Sequence, residues 1–309
     1  MICRRLVATL AAAGLVAVVA SGCSTVGGNN AAASVDGIEV PRDRLERMLR
    51  VFSENPELTQ IEADLETISV SADVGRSVLT SLIAEAAGRK FLANNDESIT
   101  DADRQAALDG IEGSPILDLP DDVLDVVVDL QAGTVARSRV AAPSAEELSR
   151  SYTVDPASTG VVCLRQIVVA TQSEAADVRD ELADGADFAT LAAERSLGPE
   201  AASGGAVPGP DGGPCQPFGA AVQTLGPPLA AAAAEARPER SSAPVQSPAG
   251  WHVFDARAFE DVSDSIGQLY AQAAGDLMFD GYLLRADVTV DPRYGSWDRI
   301  SRNVVSLSS

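Results

Sequence analysis

With 309 residues the chain is long enough for two domains and a sizeable core. A formal charge of -22 argues against a nucleic-acid partner, because neutralising phosphates takes clustered Lys and Arg. A single histidine and scattered carboxylates give no metal-ligand spacing. Neither a Gly-x-Ser-x-Gly elbow nor a phosphate-cradling glycine loop occurs, so no cofactor and no metal are expected.

The chain begins with a targeting pattern over residues 1–22. Arg4 and Arg5 form a short basic region, and residues 6–20 are apolar and small. That run falls short of the ~20 residues a membrane span needs. It ends in Ala20-Ser21-Gly22-Cys23, which resembles a bacterial lipobox. The resemblance implies cleavage before Cys23 and a diacylglyceryl group on its sulfur. The other reading is an ordinary secretory signal with a chance cysteine. Two or more acyl chains anchor stably at about 0.8 kcal/mol per buried methylene, whereas anionic headgroups would repel so acidic a body. Residues 23–33, small and polar, read as a flexible tether.

Residues 34–40 read as two extended pieces around an Asp36-Gly37 turn. Pro41 suits a first helical turn, and Leu45, Met48, Leu49 and Phe52 follow at helical spacing up to a break at Asn55-Pro56. A strong helix over 73–91 carries Val74, Val78, Leu79, Leu82, Ile83 and Ala86 on one face. Thr100 caps a weaker helix, and residues 121–140 carry Val123, Leu124, Val127, Leu130 and Val135 at helical spacing. Ser144 and Glu147 make a capping box for another helix reaching Tyr152, and residues 155–160 read as a linker.

Next come an apolar strand over 161–169, a helix from Ser173 through Phe188 to Ala192, glycines at 204–205, Pro244-Val245, and a closing strand Gly250-Trp251-His252-Val253-Phe254. A long amphipathic helix over 262–284 and a strictly alternating strand over 286–291 complete the pattern. Cys163 and Cys215 are the even remainder after Cys3 and Cys23. An oxidising compartment would join them; otherwise they are two free buried thiols.

The order strand, helix with Phe188-Ala189-Thr190-Leu191-Ala192, glycine loop, Pro244-Val245 and Gly250-Trp251-His252 resembles the parvulin (PpiC) peptidyl-prolyl isomerases of SurA- and PrsA-like foldases. The turn-then-helix opening, the helix before residue 155 and the tail Pro292-Arg293-Tyr294-Gly295-Ser296-Trp297 resemble the SurA-like part. The resemblance implies an α+β fold: a helical SurA-like chaperone domain over 34–156 and an inserted parvulin-like domain over 157–260, an antiparallel sheet with surrounding helices. Residues 261–309 would then pack back on the first domain.

By the same resemblance His252 takes the second of two facing histidines, and Gln166 stands where the first would be. Gly198 stands where a Cys or Asp would be. The pocket for the proline ring falls on Leu225 and Leu229 when counted without gaps from Pro244, which leaves it aliphatic. A rival register uses Pro217-Phe218 and about eleven further residues. The implied function is an extracytoplasmic foldase on the outer face of the bacterial cytoplasmic membrane. It would be membrane-bound through its lipid and act on unfolded, newly exported, proline-containing chains. The alternative is a non-catalytic holdase or scaffold with a dedicated envelope partner.

Overall fold

The computed structural model describes residues 30–55 and 71–307. The expected targeting segment, Cys23 and most of the expected tether therefore lie outside the described residues.

The first strand, β1 (Ala31–Val35), turns at Asp36-Gly37 into β2 (Ile38–Pro41). Both turn residues have positive φ, 46° and 82°, as a two-residue type I′ hairpin requires. Ala31, Ala32 and Ala33 are buried in β1, so these residues are not part of a flexible tether. Their small side chains suit a tether by composition. What makes them a strand is a partner far along the chain: β8 (Val288–Val290) pairs antiparallel with β1, with Ala33 opposite Val290. Tyr282 Oη and the Asp287 amide both donate to the Asp36 carboxylate, at 2.5 and 2.8 Å, and pin the turn to the returning chain.

Four helices follow: α1 (Arg42–Glu54) and α2 (Ala72–Asn94) pack on this sheet, α4 (Asp121–Arg137) packs on α2, and α3 (Asp101–Gly110) packs on α4. The apolar face of α2 lies at the centre of their core, where Leu79, Leu82 and Ile83 are fully buried. The valine-rich α4 ends at Arg137, three residues before the expected limit, and tertiary contacts with α2 and α3 hold it. Helix α5 (Ala145–Val154) starts at the capping box, with Ser144 Oγ and the Ser144 amide both donating to Glu147.

Residues 155–160 are not a loose linker. Pro156–Thr159 form a buried 3-10 turn, because the long helix α10 (Phe259–Leu283) lies directly against them. Tyr270 Oη donates to the Thr159 carbonyl at 2.6 Å, and Asp155 pairs with Arg237 at 2.8 Å and with Arg285. A Cβ on Gly281 would fall on the Ser158 carbonyl, and one on Gly160 (φ 75°) on the Leu277 carbonyl, so backbone meets backbone at this seam. Helix α10 is kinked at Ala273 (φ -150°, ψ 43°), where the periodicity suggests an unbroken helix.

Beyond the seam the expected first strand is two. Strand β3 (Val161–Val162) pairs with β5 (Gln216–Pro217), and β4 (Leu164–Val169) enters a second sheet of order β4-β7-β6, with β6 (Val245–Ser247) and β7 (Gly250–Ala256). The switch falls at Cys163, whose disulfide to Cys215 holds β5 and the following segment against β3. The expected single helix is also two, α6 (Gln172–Ala183) and α7 (Phe188–Arg195), separated at Gly185 (φ 93°). Helices α8 (Phe218–Leu225) and α9 (Pro227–Glu235) lie between β5 and β6. The C-terminal hairpin β9 (Ser296–Asp298) and β10 (Asn303–Val305) packs on α2, where the Val304 amide donates to Thr80 Oγ1 at 2.9 Å.

Two glycines of α10 separate seam packing from helix propensity. Gly267→Ala, with open space around it, should stabilise by about 0.5–1 kcal/mol, whereas Gly281→Ala should destabilise by about 1–3 kcal/mol through overpacking. Urea unfolding of the two variants reads this as shifts of opposite sign. The disulfide, spanning 52 residues, should contribute about 2–4 kcal/mol, read as a fall in the urea midpoint on adding reductant.

Candidate functional site

The three-stranded sheet has two faces of different character. Ile167, Val169 and Val253 point to α6 and α7, where they meet Phe188 and Leu191. The opposite face carries Gln166 and Val168 on β4 and His252 and Phe254 on β7. Val168 lies directly across from His252, and Gln166 from Phe254. Residues paired across antiparallel strands share a face, so this register brings position 166 to the imidazole.

His252 is 6% exposed and Gln166 is 9% exposed. Gln166 Oε1 lies 3.1 Å from His252 Nδ1, and Ser247 Oγ lies 2.7 Å from Nε2. An amide oxygen can only accept, so Nδ1 carries the proton, and in the neutral ring Nε2 then accepts from the Ser247 hydroxyl. Ser247 Oγ in turn accepts the Ala249 amide at 3.0 Å. Burial pushes the His252 pKa below its ordinary value, opposed by the nearby Glu200 carboxylate. The Phe254 ring stacks beside the imidazole, at 5.9 Å between centroids and 16° between planes.

The strand residues are held from behind. The Gln166 amide donates to the Gly205 carbonyl at 2.8 Å, and a Cβ on Gly205 (φ 79°) would lie 2.6 Å from the Gln166 carbonyl. Gly205 is therefore fixed by close approach as well as by conformation, which a reading of it as an ordinary loop glycine misses. Ser196 Oγ accepts the Val168 amide at 3.1 Å, and the Leu197 amide donates to the Val168 carbonyl at 2.7 Å. These bonds seat Gly198 over Val168.

Beneath the imidazole face lies an apolar cluster of Leu164, Phe254, Phe218, Ala221, Ala232 and Ala233, with Leu225 and Leu229 packed half-buried against it. Phe218 and the two leucines thus occupy one cluster, and the two sequence registers do not exclude each other. The expected aliphatic lining gains an aromatic ring, because pairing of β5 with β3 and the bond from the Phe218 amide to the Gly160 carbonyl (2.8 Å) carry Phe218 under the sheet. Ser247 was not singled out in the sequence. The signal was its place in β6, two residues beyond Val245, the partner of His252 in the sheet. Among the described residues no group of His, Cys, Asp and Glu is arranged to hold a metal ion.

Residues 166–258 match the family model described as Rotamase: PPIC-type PPIASE domain. This part of the chain is a parvulin domain. Among solved structures, PrsA of Bacillus anthracis matches at 17% identity and TM-score 0.27, over 67% of this chain and 96% of that one. PrsA of Bacillus subtilis matches at 18% and TM-score 0.29, over 69% and 84%. A Campylobacter jejuni structure from work describing PEB4 and Cj1289 as SurA-like chaperones matches at 19% and TM-score 0.26, over 80% and 96%. No curated protein matches in sequence.

The parvulin domain's one histidine has a pH signature. With its folded pKa lowered, the folded state binds fewer protons than the unfolded chain, whose histidine titrates near about 6.5. The stability this contributes is complete above that value and is lost as pH falls toward the folded pKa. The urea midpoint of the natural protein minus that of His252→Gln should therefore be smaller at pH 5 than at pH 8.

Proposed function

We propose that the chain is an extracytoplasmic foldase, anchored to the outer face of the bacterial cytoplasmic membrane through lipid on Cys23. Its parvulin domain accepts X-Pro segments of newly exported, unfolded proteins. The observation that carries this reading is the His252–Gln166 pair, joined across two strands above an apolar cluster that includes Phe218, Leu225 and Leu229. The Cys163–Cys215 disulfide supports an oxidising compartment.

Prolyl isomerisation crosses a barrier of about 18–20 kcal/mol set by partial double-bond character in the amide. No bond is made or broken. The site must hold the proline ring in an apolar setting and favour the twisted amide over either planar form. A buried neutral imidazole with both nitrogens hydrogen-bonded, beside apolar rings, is a desolvated polar environment of that kind.

A second reading is a holdase or scaffold without turnover, and the residues Gln166 and Gly198 favour it. An amide keeps the hydrogen bond to His252 but cannot titrate, and glycine supplies no side chain.

Isomerisation of a panel of Xaa-Pro peptides by the body from Ser24 onward separates the two. We expect rates above the uncatalysed reaction that fall at least tenfold in His252→Ala and in Leu229→Ala. Rates equal to the uncatalysed reaction, in a folded sample, would sink the isomerase reading and leave the holdase.

A further inference from the structure

Gly198 is not a glycine for the sake of its backbone. Its φ of -72° and ψ of 153° are open to any residue. What a side chain would meet there is another side chain: a Cβ at 198 would lie 2.7 Å from Glu200 Oε2, 3.3 Å from Val168 Cγ2 and 3.5 Å from Ser196 Oγ. The place beside position 198 is already taken, by a carboxylate that enters from two residues further along the chain.

Glu200 is held to deliver it. Its carbonyl accepts the Gly205 amide at 2.8 Å, within the 3-10 turn Pro199–Ser203. Oε2 is buried and has no hydrogen-bond partner. An enclosed carboxylate oxygen without a donor is costly and calls for a physical reason. Val168, which Gly198 overlies, is paired directly with His252.

We propose that Glu200 supplies the acidic group of the parvulin site from the space left by Gly198, and acts as a positioning residue for His252 across Val168. The proposal deepens the isomerase reading and rests on it for its catalytic meaning. The groups facing His252 from the other packed elements are uncharged. Strand β4 presents Gln166 and Val168, β6 presents Val245 and Ser247, and the apolar cluster under Phe254 draws alanines and Phe218 from α8 and α9. Arg165 and Asp255, an ion pair at 2.5 Å, alternate with Gln166 and Phe254 and so lie on the other face. The Glu200 charge raises the proton affinity of the ring against the effect of burial.

The chain has one histidine, so its imidazole gives a single titrating signal by NMR. We expect the His252 midpoint to move to lower pH in Glu200→Gln, a near-isosteric change that removes only the charge. In Gly198→Asp/Glu200→Ala the acid is returned from position 198 itself, and the midpoint should recover toward the natural value. An unchanged or raised midpoint in Glu200→Gln would overturn the proposal. So would a folded double variant whose midpoint stays as low as that of Glu200→Gln. This readout needs no turnover, so loss of the isomerase reading in the peptide assay would leave the charge coupling standing or falling on its own result. Where turnover is measured, the acid limb of kcat/KM should move with the midpoint.

Discussion

The structure depends on a backbone-to-backbone seam between α10 and residues 155–160. A helix normally meets its neighbour through side chains, at an interaxial distance of about 8–10 Å. Here Gly160 and Gly281 remove the side chains, and the Leu277 and Ser158 carbonyls occupy the vacated space. Close packing of this kind leaves no room for adjustment, so it fixes where α10 lies. From that position α10 reaches both halves of the molecule. Its first part packs Val262, Ile266 and Tyr270 on Tyr152 and the disulfide, and its last part packs Phe279 and Leu283 into the helical core. The chain leaves α10 through β8 and returns to β1, so the parvulin domain is inserted between elements that close on each other.

The site inherits its geometry from the same seam. Gly160 ends the 3-10 turn and its carbonyl takes the Phe218 amide, while Val161 and Val162 pair with Pro217 and Gln216. Strand β4 then begins one residue after Cys163, with its register to β7 set. The disulfide and β5 together carry the long segment after Gly205 back under the sheet. One chain of contacts therefore connects the junction to the floor beneath His252, without passing through the imidazole itself.

Much of this could be read from local chemistry. The Asp36-Gly37 turn and the Ser144–Glu147 capping box each specify structure within a few residues and are found as read, and the alternation over 286–291 yields a shorter strand, Val288–Val290. Apart from the helix break at Gly185, a local effect of a glycine with positive φ, the misread positions are decided at long range. Ala31 to Ala33 have the composition of a tether and become strand because β8 needs a partner. Residues 155–160 have the composition of a linker and are buried because Gly160 and, in α10, Gly281 let the two backbones meet. The split at Cys163 follows from two different partner strands, and the bend at Ala273 has no breaker residue to announce it. At the site, position 252 was legible from Gly250-Trp251-His252. The carboxylate of Glu200 was not, because its relevance lies in the empty volume at Gly198, two residues away.

Gln166, where the parvulin resemblance implies a histidine, changes less of the physical chemistry than a count of altered residues suggests. Two facing imidazoles share a proton and can exchange donor and acceptor roles. An imidazole facing an amide oxygen has its proton fixed on Nδ1, with Nε2 turned to Ser247. That loss would be severe for a reaction that moves protons. Rotation about a C–N bond moves none, and its transition state differs from the planar amide in charge distribution and shape. What such a reaction asks of a protein is a dry, fixed arrangement of dipoles beside an apolar surface, and fixing the tautomer makes the arrangement more rigid. The residue whose absence matters more is the acid, because a charge acts over a longer distance in a buried site than an amide dipole does. In this chain the carboxylate of Glu200, with Oε2 enclosed beside Gly198, fills the space that a side chain at 198 would take.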